Sequence, residues 1–183
     1  KNIQTFGTPL FGRVKALNRL ARYQARPRGQ SDVKANSIQR IGLNFGAPGD
    51  RMTREGTLWL DYPSVGGPSP TITVTQSPNV PTYQYRHSLW MKGGDGHGWV
   101  TASSVEGLKE LTLHDLKPGS YTVRLFFAEP DELEVGSRVQ HASLQDRVIL
   151  SDFDVRAEAG GVMRGVVKEV ESIEVDGTLR LKL

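Results

Sequence analysis

The sequence predicts an all-β fold, a sandwich or jelly roll, preceded by a basic helical extension. Three observations predict it. From Ile41 onward, short apolar-rich runs are broken at frequent intervals by Gly, Pro and Asp clusters, the pattern of strands joined by tight turns. No stretch of ten or more residues in that body shows helical periodicity. The charge is also uneven. Residues 1–40 carry nine Lys/Arg and one acid, while residues 41–183 carry 14 Lys/Arg and 19 Asp/Glu, so the net charge of +3 hides a basic leader on an acidic body. The boundary is drawn there: residues 1–39 as leader and linker, residues 40–183 as the sandwich.

In the leader, Leu10, Val14, Leu17 and Ala21 recur at spacings of four, three and four, which is one face of a helix. Thr8 and Pro9 suit its N-cap and first position, and Pro27 and Gly29 end it. Arg13, Lys15, Arg19 and Arg22 fall mostly off the apolar face. Such a helix could serve a membrane or a nucleic acid, but its narrow stripe favours a connecting helix docked on a neighbouring domain. The chain begins Lys1-Asn2-Ile3, without Met or a signal-peptide core. It therefore reads as a processed product or part of a longer polypeptide.

In the body the expected strands are Arg40–Phe45, Thr57–Asp61, Thr71–Thr75, Gln84–Met91, Glu110–Leu113, Ser120–Ala128, Arg138–Leu144, Arg147–Leu150, Gly165–Glu169 and Thr178–Leu183. Alternation is clearest at Tyr121, Val123, Leu125 and Phe127, and recurs at Leu179, Leu181 and Leu183. Leu144-Gln145-Asp146-Arg147 reads as a tight hairpin turn, and Pro118-Gly119 as a turn feeding a strand.

Several function classes lose support. Apolar runs reach only four or five residues, against the roughly 20 of a membrane span. There are no cysteines, hence no disulfide framework and no thiol nucleophile. The acidic body lacks the basic surface that nucleic-acid phosphates require. His87, His97, His114 and His141 show no local metal-ligand spacing. Asp95-Gly96-His97 would suit a catalytic or metal loop, but a hydrolase also needs a nucleophile and oxyanion donors. A Gly-rich turn with a surface His accounts for it.

Asp152 and Asp154, two apart on an extended segment, are expected to point the same way. Two such carboxylates could hold Ca²⁺ with backbone carbonyls or orient sugar hydroxyls. They are poorly placed as a glycosidase pair, which needs about 5 Å or more between its carboxyls. Otherwise no cofactor is expected. Trp59, Tyr62, Tyr83, Tyr85, Trp90 and Trp99 all fall between residues 59 and 99. Sugar rings stack their C–H faces on aromatic faces and satisfy their hydroxyls on nearby polar side chains. About two of these six rings are expected to face a ligand, and the others to be core.

A family resemblance sharpens this. Tyr121-Thr122-Val123-Arg124-Leu125-Phe126-Phe127-Ala128-Glu129 resembles the YxVxLxFAE strand of malectin and malectin-like carbohydrate-binding modules, and Asp152-Phe153-Asp154-Val155 resembles their DxDI segment. Glu158-Ala159-Gly160-Gly161 follows as the Gly-rich stretch, and Ile41 to Gly46 resembles the opening strand. Gln140-His141 departs from the family's Phe-Asp and removes a core aromatic. The segment from Asp50 to Pro70 resembles one found near the C-terminus of large planctomycete-type proteins, after a quinoprotein-like propeller. The resemblance implies a jelly-roll sandwich that binds an oligosaccharide or polysaccharide without turning it over, as an extracytoplasmic accessory domain. The residues it implies are Asp152 or Asp154 and, more loosely, Trp59, Tyr62, Tyr85, Trp90, Trp99 and Glu129. The other reading is a structural interaction domain that docks a neighbouring domain.

Overall fold

The computed structural model describes residues 2–3, 5–8, 40–64 and 72–183. The expected leader helix lies outside them. In chain order the strands are β1 (Asn2–Ile3), β2 (Thr5–Thr8), β3 (Arg40–Phe45), β4 (Arg51–Met52), β5 (Thr57–Tyr62), β6 (Val74–Ser77), β7 (Thr82–Gln84), β8 (Ser104–Glu106), β9 (Glu110–Leu113), β10 (Gly119–Phe127), β11 (Val139–Leu144), β12 (Arg147–Asp154), β13 (Val166–Val175) and β14 (Leu179–Lys182). Short helical turns occur at Ser88–Trp90, Gly98–Thr101 and Val155–Ala159.

Two large sheets face one another. One has the order β13-β10-β2-β3-β5-β4, the other β12-β11-β14-β9-β6, and a small sheet is ordered β1-β8-β7. Thr5–Thr8, assigned to the leader from sequence, pairs as a strand between β10 and β3. The alternation of β10 puts Tyr121, Val123, Leu125 and Phe127 into the shared core. There they meet Leu111, Leu113, Leu144, Leu179 and Leu181 from the opposite sheet. This burial of apolar side chains from both inner faces is the main stabilising term of a sandwich.

Local chemistry explains the turns. Gln145 and Asp146 both take positive φ (49° and 63°), the two-residue hairpin geometry that matches strand twist. The Gln145 side chain then donates to Thr178 O (2.8 Å), tying this hairpin to the start of β14. Tyr121 Oη donates to Lys117 O (2.6 Å) across the Pro118-Gly119 turn.

Four expected strands change most, and one of them, Gly165–Glu169, becomes the longer Val166–Val175. Thr71–Thr75 shifts to Val74–Ser77. Gln84–Met91 ends as a strand at Gln84. There His87 Nδ1 accepts from Leu89 N (3.2 Å) and caps a helical turn, an example of a side chain competing with ladder pairing. The Arg147–Leu150 strand continues to Asp154, past a register shift opposite Gln140–Ala142.

Topology gathers several loops at one end. β5 runs parallel to β3. β2 is antiparallel to both β3 and β10, so β10 also runs the same way. Phe127 pairs with Val166, so β13 starts where β10 stops. The segments after Phe45, Tyr62 and Phe127 and the one before Val166 therefore share an end of the six-stranded sheet.

Candidate functional site

The segment between β7 and β8 shapes the outside of the six-stranded sheet. It leaves β7, forms the Ser88–Trp90 turn, and is then tied along the loop preceding β13. Lys92 N donates to Met163 O (2.7 Å), Asp95 N to Gly165 O (2.8 Å), and Gly165 N to Gly93 O (2.9 Å). Gly94 and Gly165 touch so closely that a Cβ on Gly94 would lie 2.3 Å from Gly165 N. Two glycines are required for this approach.

The aromatics then divide. Tyr85 and Trp90, 61% and 66% exposed, carry the open rings of this segment. Tyr62 meets Phe45 (5.4 Å between centroids) and Tyr83 (6.3 Å), at the rim of the core. Burial raises the Tyr62 phenol above its ordinary value. Burial likewise pushes Tyr83 up to about 12, although its hydroxyl donates to Gln76 Oε1 (2.8 Å). Trp59, only 4% exposed, packs edge-to-face with Phe126 (5.2 Å) and Trp99 (5.7 Å). The Trp99 ring carries His97 stacked on it (5.2 Å) and Arg51 above it (4.5 Å).

A cavity of about 460 Å³ opens on this outer face. Trp59 and Phe126 line it together with Arg40, Asp95, His97 and the Arg124–Glu169 ion pair. The Trp59 and 95–97 segments thus meet at one concavity, while 152–154 is not part of its lining.

The acidic groups have distinct settings. Glu129 is buried, and its Oε1 accepts from Arg138 Nη1 (2.6 Å) and from Asp131 N (3.0 Å). Arg138 also reaches Asp131 Oδ2 (3.0 Å). Met163 N donates to Glu129 O (2.8 Å). Because Met163 O also receives Lys92 N, the Glu129–Arg138 pair and the segment bearing Trp90 are joined through one residue.

Asp154 caps the Val155–Ala159 turn, accepting from Ala157 N (3.1 Å) and Gly136 N. The Gly136 hydrogen bond is the largest influence holding its carboxyl below the ordinary range. Asp152 is exposed, takes positive φ (49°), and faces His141 (Nε2 to Oδ1, 3.7 Å). Asp152 and Asp154 flank the buried Phe153, as alternation expects, but they have different partners. A register shift in the pairing of β12 with β11 lies opposite His141, next to Asp152. Among the described residues no group of three or more His, Cys, Asp or Glu gathers as a metal site.

Sequence reasoning did not single out Arg138 or Met163, whose roles depend on contacts with distant segments. Nor did it single out Asp50. The Asp50 carboxyl lies beside Asp61, accepting Asp61 N (2.7 Å). Burial, reinforced by the hydrogen bond and charge of the Asp61 carboxylate, raises Asp50 to about 6, against the lowering effect of the Asp61 N–H.

The family model of the malectin domain matches residues 111–181, the same family that the FAE strand and the DxD segment resemble. Two solved structures are similar in fold. One is Bacteroides uniformis β-glucuronidase 2 covalently bound to cyclophellitol-6-carboxylate aziridine, with a TM-score of 0.55 and 13% identity over 76% of this chain and 15% of that one. The other is a Bacteroides uniformis β-glucuronidase, with a TM-score of 0.50 and 14% identity over 76% and 15%. At these identities the likeness concerns the fold alone, and this chain spans about 15% of the length of those proteins. No curated protein sequence matches. Among the described residues no helix is long and apolar enough to cross a membrane.

Proposed function

We propose that this domain binds carbohydrate without transforming it, as an extracytoplasmic accessory module of a larger chain. Trp90 and Tyr85 provide the stacking faces, and the polar groups around Glu129, Asp131 and Arg138 take hydroxyls. The carrying observation is the ring of Trp90, two-thirds open on a segment pinned by the Lys92–Met163 hydrogen bond. A ring presented on a fixed backbone loses little freedom when a sugar stacks on it. The malectin match over residues 111–181 supports the same ligand class.

The test is an oligosaccharide panel followed by tryptophan fluorescence or amide chemical shifts, with W90A and Y85A compared against H97A at the cavity. The expected result is saturable binding to some panel members, weakened by about tenfold in W90A, corresponding to roughly 1.4 kcal/mol of lost stacking. No response across the panel overturns the ligand class. Binding that W90A and Y85A leave intact while H97A abolishes it moves the ligand into the cavity.

A second reading has one observation of its own. Val80 and Leu89, both 87% exposed, lie in the same stretch of sequence as the two open rings, and exposed apolar side chains that form one patch suit a macromolecular contact. A V80D/L89D variant that binds sugar normally but no longer associates with an adjoining domain would favour docking.

A further inference from the structure

We propose that Arg164, with Lys92 beside it, makes the carbohydrate site selective for acidic glycans, those bearing a carboxylate or sulfate group. The inference rests on the carbohydrate reading above and names the ligand class within it.

Arg164 is exposed, yet its side chain is held at three points. Its Nε donates to Ala159 O (3.0 Å) and its Nη1 to Lys92 O (3.4 Å). Its stem crosses Gly161, where an added Cβ would lie 3.1 Å from Arg164 Cδ. The guanidinium thus bridges the turn at Val155–Ala159 and the segment that follows Trp90. Local sequence explains the fit. Gly160 takes positive φ (63°) and ends the turn. The last carbonyls of a helical turn lack internal donors, and Arg164 supplies one to Ala159. Gly161 has no side chain to obstruct the arginine stem. The Glu158-Ala159-Gly160-Gly161 stretch is therefore the seat of Arg164.

The charge of this arginine is left unanswered. Both of its acceptors are backbone carbonyls, which carry no net charge. The acids nearby are committed elsewhere: Glu129 and Asp131 to Arg138, Glu132 to Arg156, and Glu158 to Lys168. Asp154 caps the turn. Asp95 lines the outer-face cavity, whose lining includes neither Arg164 nor Lys92. An arginine has five N–H donors, and these two hydrogen bonds use two of them.

Lys92 adds a second cation. Its backbone N–H is fixed on Met163 O (2.7 Å) and its carbonyl on Arg164, while its side chain is exposed. Among the described residues neither Lys92 nor Arg164 forms an ion pair. Trp90 is two residues upstream, so the two Cα atoms lie within about 7 Å. The open ring and both cations are thus carried on backbone tied to Met163 and its neighbour. A guanidinium fork matches a carboxylate or sulfate in shape as well as charge. Because it is clamped beforehand, little freedom is lost when the anion docks. Neutral hydroxyls would leave both charges without a partner.

The experiment uses the whole chain and pairs of oligosaccharides matched in backbone and differing in charge. The pairs are tetragalacturonate and its methyl ester, xylotetraose with and without a uronic acid branch, and sulfated and plain cellotetraose. Calorimetry follows binding at low and high sodium chloride. The charged member of at least one pair is expected to bind about tenfold tighter at low salt, with the gap narrowing at high salt. R164Q is expected to weaken the charged ligand by about fivefold and leave its neutral partner within about twofold. K92Q should show a smaller loss of the same kind. Lys117 precedes β10, at the other end of that strand from Glu129, so K117Q controls for net charge and should leave the preference unchanged. The uronate and sulfate pairs separate the two anions.

Equal binding of charged and neutral partners in every pair overturns the inference and leaves the carbohydrate reading standing. So does a charge preference that R164Q leaves intact, or an R164Q loss equal for charged and neutral ligands, which would make Arg164 only a clamp. Binding to no oligosaccharide, charged or neutral, overturns that reading and the inference together.

Discussion

Gly42 and Trp59 are Cα partners on β3 and β5, and the indole occupies the place where a side chain on Gly42 would stand. A Cβ at that glycine would lie 2.3 Å from Trp59 Cε3. The backbone of β3 thus forms the bed on which the outer apolar cluster of Trp59, Val100 and Phe126 is laid.

G42A is expected to destabilise the domain by about 1–3 kcal/mol, the cost of forcing one extra carbon into a packed site. Urea unfolding measures it. A G42A/W59F pair should recover part of the loss, because the smaller ring frees the space. Equal stability of G42A and wild type would show that the indole is free to move aside.

Asp50 makes stability depend on pH. Its folded value, about 6, lies above the ordinary carboxylate value of 3.8. Between these two values the folded state holds a proton that the unfolded chain releases, so stability is greatest at the acid end and falls as pH rises. The loss continues as pH rises through the folded value near 6 and is complete about a unit above it. D50N should flatten this part of the curve, as read from denaturant midpoints at closely spaced pH values.

Arg138 neutralises the buried Glu129 carboxylate. Removing one member of a fully buried pair costs about 3–5 kcal/mol. Arg138 is partly open to water, with 26% of its side chain exposed, so R138A is expected to cost about 2 kcal/mol. E129Q should cost less, because no uncompensated charge remains. If R138A proves neutral, water reaches Glu129 and the pair does not hold the loop together.

Asp154 acts as a helix cap. D154A is expected to lower stability by about 1 kcal/mol, through the loss of hydrogen bonds from Ala157 N and Gly136 N. Its depressed folded pKa means that its contribution is present above the unfolded value and disappears as pH falls through the folded one. Sugar affinity in D154A, measured beside its unfolding curve, separates a capping role from a ligand role.

Much of the architecture is legible in residue order. Tyr121, Val123, Leu125 and Phe127 announce a half-buried strand because side chains alternate across a pleat, and all four enter the core. Gln145-Asp146 announces a hairpin, since both residues adopt positive φ in the structure. The segment from Gln84 to Met91 reads as a strand by its aromatic and apolar content, yet it leaves the ladder after Gln84, and Ser88–Trp90 forms a helical turn capped by His87. Asp152 and Asp154 read as a pair by spacing, which reveals neither the register shift at His141 nor that Asp154 is taken up as a helix cap.

The aromatics show where local pattern stops being informative. Trp59 and Trp90 are the same residue type in similar apolar settings, yet one is 4% exposed and the other 66%. Periodicity tells which face of a strand a side chain occupies. It does not tell what later crosses that face, and here Val100, from the segment after Trp90, covers Trp59. Composition and alternation by themselves determined that the body is β-rich and acidic, with a core drawn from the alternating strands. Tertiary structure alone decided which rings stay open, and that Asp50 and Asp61 become neighbours. Strand pairing and cover are contacts between residues far apart in the chain, and their energies depend on burial that no local window contains.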